Sequence, residues 1–127
     1  MIINEATYVD QAEKVIQKLS SNTDNRGNVK WITTSKIRNL LAMSADIYNE
    51  ILTLDEKLPE DVCARIDYLR VRFIYESGRD PLVKSFVETA QLVGALKEIQ
   101  GSRKRYIQFN RYLEALVAYH RYYGGKD

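Results

Sequence analysis

Apolar side chains along this chain recur every three or four residues, the period of an amphipathic helix, and no stretch alternates convincingly as a half-buried strand does. Tyr8, Ala12, Val15, Ile16 and Leu19 predict a first helix over about residues 5–19. The next stretch, Ser20 to Lys30, is polar, contains Gly27 and has no period, so it is expected to be a mobile loop. Thr33-Thr34-Ser35 is a capping run for a second helix that reaches about Leu54. Its apolar face carries Ile37, Leu40, Leu41, Ser44, Ile47, Tyr48 and Ile51.

Pro59 suits the first position of a third helix, and Glu60 and Asp61 complement its dipole. Val62, Ile66, Leu69 and Phe73 form its buried stripe, with Gly78 as the stop. Asp80-Pro81 supplies an N-cap and an N1 proline for a fourth helix, whose apolar positions from Leu82 to Leu96 carry it to about Ile99. A fifth helix runs from Ser102 to Tyr123, ends at Gly124-Gly125, and has Tyr106, Phe109, Leu113, Leu116, Val117 and His120 at apolar positions. Short connectors make the last three helices antiparallel neighbours. The expected fold class is therefore all-α: one domain over residues 1–127, a compact and largely antiparallel bundle of about five helices. The fifth helix is apolar or aromatic over much of its circumference. It is either the central helix or one that lends a face to another subunit.

Composition narrows the function classes. With 45% hydrophobic and 28% charged residues the chain reads as an ordinary soluble globular protein. No apolar run approaches 18 residues and the first residues have no signal-peptide pattern, so no membrane partner and a cytoplasmic location are expected. A single Cys63 and a single His120 exclude a Cys/His zinc pattern, and Cys63 has no partner for an internal disulfide. His120 falls on the apolar side of its helix and reads as a structural residue. There is no phosphate-cradling glycine loop, and the carboxylates are scattered over helix surfaces and caps. Neither catalysis, a cofactor nor a metal is expected.

Charge is uneven. Residues 1–63 hold 7 Lys and Arg against 10 Asp and Glu, for −3, and residues 64–127 hold 12 against 7, for +5. Cations also stand where helix dipoles disfavour them. Arg103, Lys104 and Arg105 follow Ser102 in the first turn of the fifth helix, Lys36 and Arg38 open the second, and Arg79 precedes the fourth. Free N–H groups, the dipole and cations together describe an anion site; the alternative is a solvated basic turn. On the third helix Arg65, Tyr68, Arg72, Tyr75 and Arg79 fall on one strip away from the core stripe, where arginine pairs with phosphate and tyrosine stacks or donates. The alternative there is arginine stems covering tyrosine rings. Arg70, at another angle, suits a packing or partner contact. Repetition at several helix entrances points to a ligand of repeated negative charge, a nucleic-acid backbone.

Several stretches carry a resemblance. They are Ile32-Thr33-Thr34-Ser35-Lys36-Ile37-Arg38-Asn39-Leu40-Leu41, Asp46-Ile47-Tyr48-Asn49, and the run from Tyr68 through Arg70-Val71-Arg72 to Ser77-Gly78-Arg79-Asp80. They continue through Val83-Lys84 and Phe86-Val87 to Tyr112-Leu113-Glu114-Ala115-Leu116-Val117-Ala118-Tyr119-His120 and Tyr122-Tyr123-Gly124-Gly125. In that order, over residues 32–125, the chain resembles the small subunit of the type III-A CRISPR effector, the Csm complex.

The resemblance implies a helical bundle with no nuclease or cyclase activity of its own. Copies of it stack as an inner filament beside larger backbone subunits and the large catalytic subunit. It also implies contact with the guide RNA and target RNA through the sugar-phosphate backbone, since base pairing reads the sequence. By position it implicates Lys36, Arg38, Arg70, Arg72, Arg79 and Lys84; Arg103, Lys104, Arg105 and Arg111 lie where the family is basic without fixed identity. Arg26 and Lys30 sit in the expected mobile loop. Two other readings stay open: a protein–protein assembly module without RNA contact, and a small helical DNA-binding regulator, for which no clear helix-turn-helix is present.

Overall fold

A computed structural model describes residues 1–127 as six helices. They are α1 (Tyr8–Ser20), α2 (Thr34–Ile51), α3 (Glu60–Arg79), α4 (Pro81–Thr89), α5 (Leu92–Lys97) and α6 (Arg103–Tyr122). The all-α class stands, with one more helix than the periodicity predicts. The continuous apolar run after Pro81 is broken at Gln91, which takes left-handed backbone at φ 57° and ψ 39°. The Ala90 carbonyl beside it accepts from the buried Tyr112 hydroxyl at 3.0 Å. The bend lets Val83, Phe86 and Val87 of α4 and Leu92, Ala95 and Leu96 of α5 all reach one core, which a straight rod would not allow. No glycine or proline marks the place, so pattern alone carries no sign of it.

Two boundaries differ for stereochemical reasons. Pro59 is the N-cap of α3, in extended backbone, and Glu60 is the first helical residue. At the other end α3 continues through Gly78 to Arg79. Pro81 forces the residue before it out of helical space. Asp80 accordingly sits at φ −142° and ψ 114°, ending α3 and capping α4 through the Leu82 N–H.

Contacts set the directions of packing. Arg65 pairs with Glu50 at one end of α2 and Lys36 with Asp80 at the other, so α2 and α3 are antiparallel. Thr34 meets Lys126 beyond the end of α6, whereas Arg103 at its start meets Ile51, so α2 and α6 are antiparallel too. α1 instead runs parallel to α6, with Glu5 at 3.5 Å from Lys104 near its start and Glu13 at 2.7 Å from the Tyr123 hydroxyl at its end. α6 is the central helix. Tyr106, Phe109, Asn110, Tyr112, Leu113, Leu116 and His120 are buried on it, against α1, α2 and α5. Its buried polar atoms are matched across the core, apart from His120 Nδ1, which has no partner. The Tyr106 hydroxyl donates to the Ser44 carbonyl at 2.8 Å, and the Ser44 hydroxyl donates to Asn110 Oδ1 at 2.8 Å. Pairing of this kind offsets the roughly 1–3 kcal/mol that each unmatched buried polar group costs.

Residues 20–30 close on themselves. Asp24 Oδ1 accepts from the N–H groups of Arg26 and Asn28, Asn22 pairs with Lys30, and Thr23 bridges Val29 around Gly27 at φ 81°. The last residues fold back over the start of α2. The Thr34 N–H donates to the Lys126 carbonyl at 3.0 Å, and Asp127 Oδ1 accepts from the Ser35 N–H at 2.9 Å and its hydroxyl at 2.7 Å.

Candidate nucleic-acid interface

α2 separates the implicated cations into two groups. Lys36 stands in its first turn and Arg103 binds its last residues; the 15 residues between them span about 22 Å at 1.5 Å each. No single phosphate reaches both ends.

At the far end, the entrance of α6 already holds an anion from this chain. Ser102 caps the helix through the Arg105 N–H, and Glu56, from the loop after α2, lies across the same turn. Glu56 accepts from the Ser102 hydroxyl at 2.5 Å and from the Lys104 N–H at 2.9 Å. These bonds, with Arg103 and Lys104 nearby, hold its carboxyl below the usual glutamate value. The cations that conflict with their own helix dipole are directed elsewhere. Arg103 donates to the Ile51 and Leu52 carbonyls, Arg105 donates to the Glu98 carbonyl at 3.1 Å, and Lys104 reaches Glu5. Arg103 and Arg105 thereby serve the C-terminal ends of α2 and α5, where cations are favoured.

At the near end, three helix termini converge. Lys36 and Arg38 open α2, Arg79 closes α3 with Arg72 two turns before it, and Lys84 follows the cap of α4. Lys36 pairs with Asp80, and the ammonium holds that carboxyl below the ordinary aspartate value. Arg72 and Arg79 share Glu76, at 3.4 and 3.5 Å, and both guanidinium carbons lie over the Tyr75 ring, at 5.6 and 5.4 Å. The strip is thus built from guanidiniums, rather than arginine stems, packed on the Tyr75 ring. Side-chain exposure is 40% at Arg72 and 62% at Arg79, enough for a phosphate to reach either. Lys84 pairs loosely with Glu88 at 3.8 Å, and Arg38 has no carboxylate within 4 Å.

The remaining implicated cations lie apart. Arg70 projects from a different edge of α3 than Arg72 and pairs with Asp67 at 3.8 Å. Arg111 is exposed on α6 without an ion pair. His120 is buried; its Nε2 lies 2.8 Å from the Ile32 carbonyl, Trp31 packs on the ring, and Gly125 lies so close that any Cβ there would meet the ring at 2.1 Å. Burial pushes its pKa down. No three His, Cys, Asp or Glu side chains are grouped to hold a metal ion, and no helix is long and apolar enough to cross a membrane.

Comparison with known proteins covers nearly the whole chain. The profile of the Csm2 type III-A family matches residues 10–126. The chain belongs to this family, the small subunit of the type III-A effector complex. It is 43% identical over 126 residues to the CRISPR system Cms protein Csm2 of Streptococcus thermophilus, covering 99% of this chain and 98% of that one. The protein of the same description from Mycobacterium tuberculosis (strain ATCC 25618 / H37Rv) is 40% identical over 128 residues, covering 100% and 99%. The one from Enterococcus italicus is 37% identical over 121 residues, covering 88% and 86%. Likeness therefore extends past residues 32–125 into α1, which the sequence stretches left out. Two residues that shape the cationic ends of this Csm2-family chain, Glu56 and Asp127, escape sequence reasoning. They act on helix starts 46 and 92 residues away, and no local spacing signals such a reach.

Proposed function

We propose that this chain is a non-catalytic subunit of a type III-A complex that stacks with its own copies as an inner filament and holds the guide RNA–target RNA duplex by its backbone, without regard to sequence. Its other partners in this reading are the larger backbone subunits and the large catalytic subunit, in the cytoplasm and with no cofactor. The observation that carries the RNA contact is the near-end convergence. Lys36, Arg38, Arg79 and Lys84 come from three helices to one end, with Arg72 two turns up α3, against Asp80, Glu76, Glu88 and the Asp127 carboxyl that faces Arg38, leaving a net +1. Charge placed this way attracts phosphate and carries none of the base-edge readers that sequence recognition requires. Lys104 and Arg111 extend the proposed surface along α6 and Arg70 along α3, while Arg103 and Arg105 add positive field from behind their carbonyl contacts.

Replacing Arg72 and Arg79 together with alanine tests this. In filter binding of single-stranded RNA across a salt series, the double variant should lose roughly 1–2 units of the log–log salt slope. Its helical content and melting temperature should stay near those of the parent. Unchanged affinity in a folded variant would overturn the assignment. The second reading, assembly without RNA contact, is favoured by Tyr68, Val71 and Ile74, which α3 leaves exposed to solvent. Crosslinking in the assembled complex separates the two: adducts from α2, α3, α4 or α6 to nucleotides support RNA binding, and adducts to protein alone support the second reading.

A further inference from the structure

Residues 124–127 form a strap across the start of α2. Past the end of α6 the Gly125 N–H donates to the His120 carbonyl at 2.8 Å, and Arg121 Nη1 donates to the Gly125 carbonyl at 3.3 Å. Gly125 is buried against the His120 ring. Beyond it the Lys126 carbonyl takes the Thr34 N–H, and Asp127 Oδ1 takes both the N–H and the hydroxyl of Ser35. Thr34 and Ser35 are the first two residues of α2. The strap thereby seats a carboxylate where the helix dipole and its free N–H groups favour an anion. The Ser35 hydroxyl first, then its N–H, Arg121 and Arg38, hold that carboxyl below the usual aspartate value. Arg38, one turn into α2, thus already faces an anion from its own chain.

The seat beneath the strap is flawed. Two buried side-chain polar atoms in the chain have no partner, Thr34 Oγ1 and His120 Nδ1, and the strap runs against both. Thr34 is tied to Lys126 through its N–H, and Nδ1 faces Gly125 so closely that a Cβ there would overlap it. Each unmatched atom costs free energy that access to water or to another hydrogen-bonding group returns. At the tip, Asp127 is exposed, and a contact between exposed polar groups adds little. A closed strap with weak bonds at its tip and unpaired atoms beneath it is poised to lift.

We propose that this strap is an autoinhibitory clasp: the Asp127 carboxylate holds the place of an RNA phosphate at the start of α2, and a phosphate engages Arg38 and the Ser35 N–H only by displacing it. The exchange is balanced in kind. The N–H and hydroxyl of Ser35 pass from a carboxylate to phosphate oxygens, and Thr34 Oγ1, unpaired while the strap is closed, gains an acceptor. This rests on the RNA reading above and adds a switch to it.

Gly125→Ala tests it without changing a charge. Its Cβ would overlap the His120 ring, so the strap has to leave its seat. Ser35→Ala is the second variant: it removes the 2.7 Å bond to Asp127 and keeps the backbone N–H and every charge. In filter binding of single-stranded RNA, Gly125→Ala should bind about five- to tenfold tighter than the parent, the gain for a clasp open in about a tenth to a fifth of free molecules. Ser35→Ala should bind about twofold tighter, since it loosens the strap without expelling it. Arg38→Ala added to either variant should remove most of the gain, because Arg38 is what the strap covers. If Gly125→Ala loses the parent's helical content by circular dichroism, Ser35→Ala and its combination with Arg38→Ala carry the test. Folded variants that bind no tighter than the parent, while the Arg72/Arg79 double variant still loses affinity, overturn the clasp and leave the RNA reading standing. A gain that survives Arg38→Ala overturns it too. If neither the parent nor any strap variant binds RNA, the RNA reading falls and the clasp with it.

Discussion

Arg103 closes the last turn of α2: its Nε donates to the Ile51 carbonyl at 2.9 Å and its Nη2 to the Leu52 carbonyl at 2.8 Å. The last carbonyls of a helix have no partner within it, and positive charge is favoured beside them. A cation misplaced on its own helix is thus well placed on its neighbour's. Arg103→Ala should lower unfolding free energy in urea by about 1.5–3 kcal/mol, the range for hydrogen bonds to a charged group. Arg103→Lys should recover only part of it, because an ammonium lacks the planar fork. RNA affinity of the folded Ala variant should fall less than that of the Arg72/Arg79 double variant. An unchanged urea midpoint would mean the guanidinium contributes nothing at α2.

Glu56 makes the stability of this end depend on pH. Its folded carboxyl titrates below the ordinary value of 4.5, held down first by the Ser102 hydroxyl and then by the Lys104 N–H. A depressed carboxylate stabilises fully above its unfolded value and loses that contribution as pH falls through the folded one. Glu56→Gln should therefore melt below the parent at neutral pH, with the gap closing as pH drops below 4.5. Asp24, Asp80 and Asp127 are also depressed but are common to both proteins, so they cancel in the difference. A gap that stays constant down to acid pH would refute the assignment.

Gln91 holds left-handed backbone with its side chain exposed and no capping bond. A side chain in that region costs about 1–2 kcal/mol, which glycine avoids. Gln91→Gly should accordingly raise thermal stability by about 1 kcal/mol, reduced by the larger entropy of the unfolded glycine chain. A drop in melting temperature would mean the glutamine stabilises the bend through a contact of its own.

Much of the bundle is legible before folding is considered. The stripes Val62/Ile66/Leu69/Phe73 and Tyr106/Phe109/Leu113/Leu116 are buried where their period places them, and Thr33, Asp80 and Ser102 each cap a helix. Caps and stripes are local: a cap concerns a few consecutive N–H groups, and a stripe only the angle between successive residues. The bend at Gln91 was not legible, because it answers to Tyr112 and the core around it.

The candidate site divides along the same line. Residue types and spacing by themselves determined an all-α chain with cations at helix starts and a basic, tyrosine-bearing strip on α3. Only tertiary structure decided what those cations face. It brought Glu56 to the mouth of α6, turned Arg103 and Arg105 onto neighbouring carbonyls, and left Lys36, Arg38, Arg79 and Lys84 at the opposite end, with Arg72 linked to Arg79 through Glu76. The reason is range. Helical period and capping act over one or two turns, whereas the field at a helix end depends on whichever carboxylate or carbonyl the folded chain carries there.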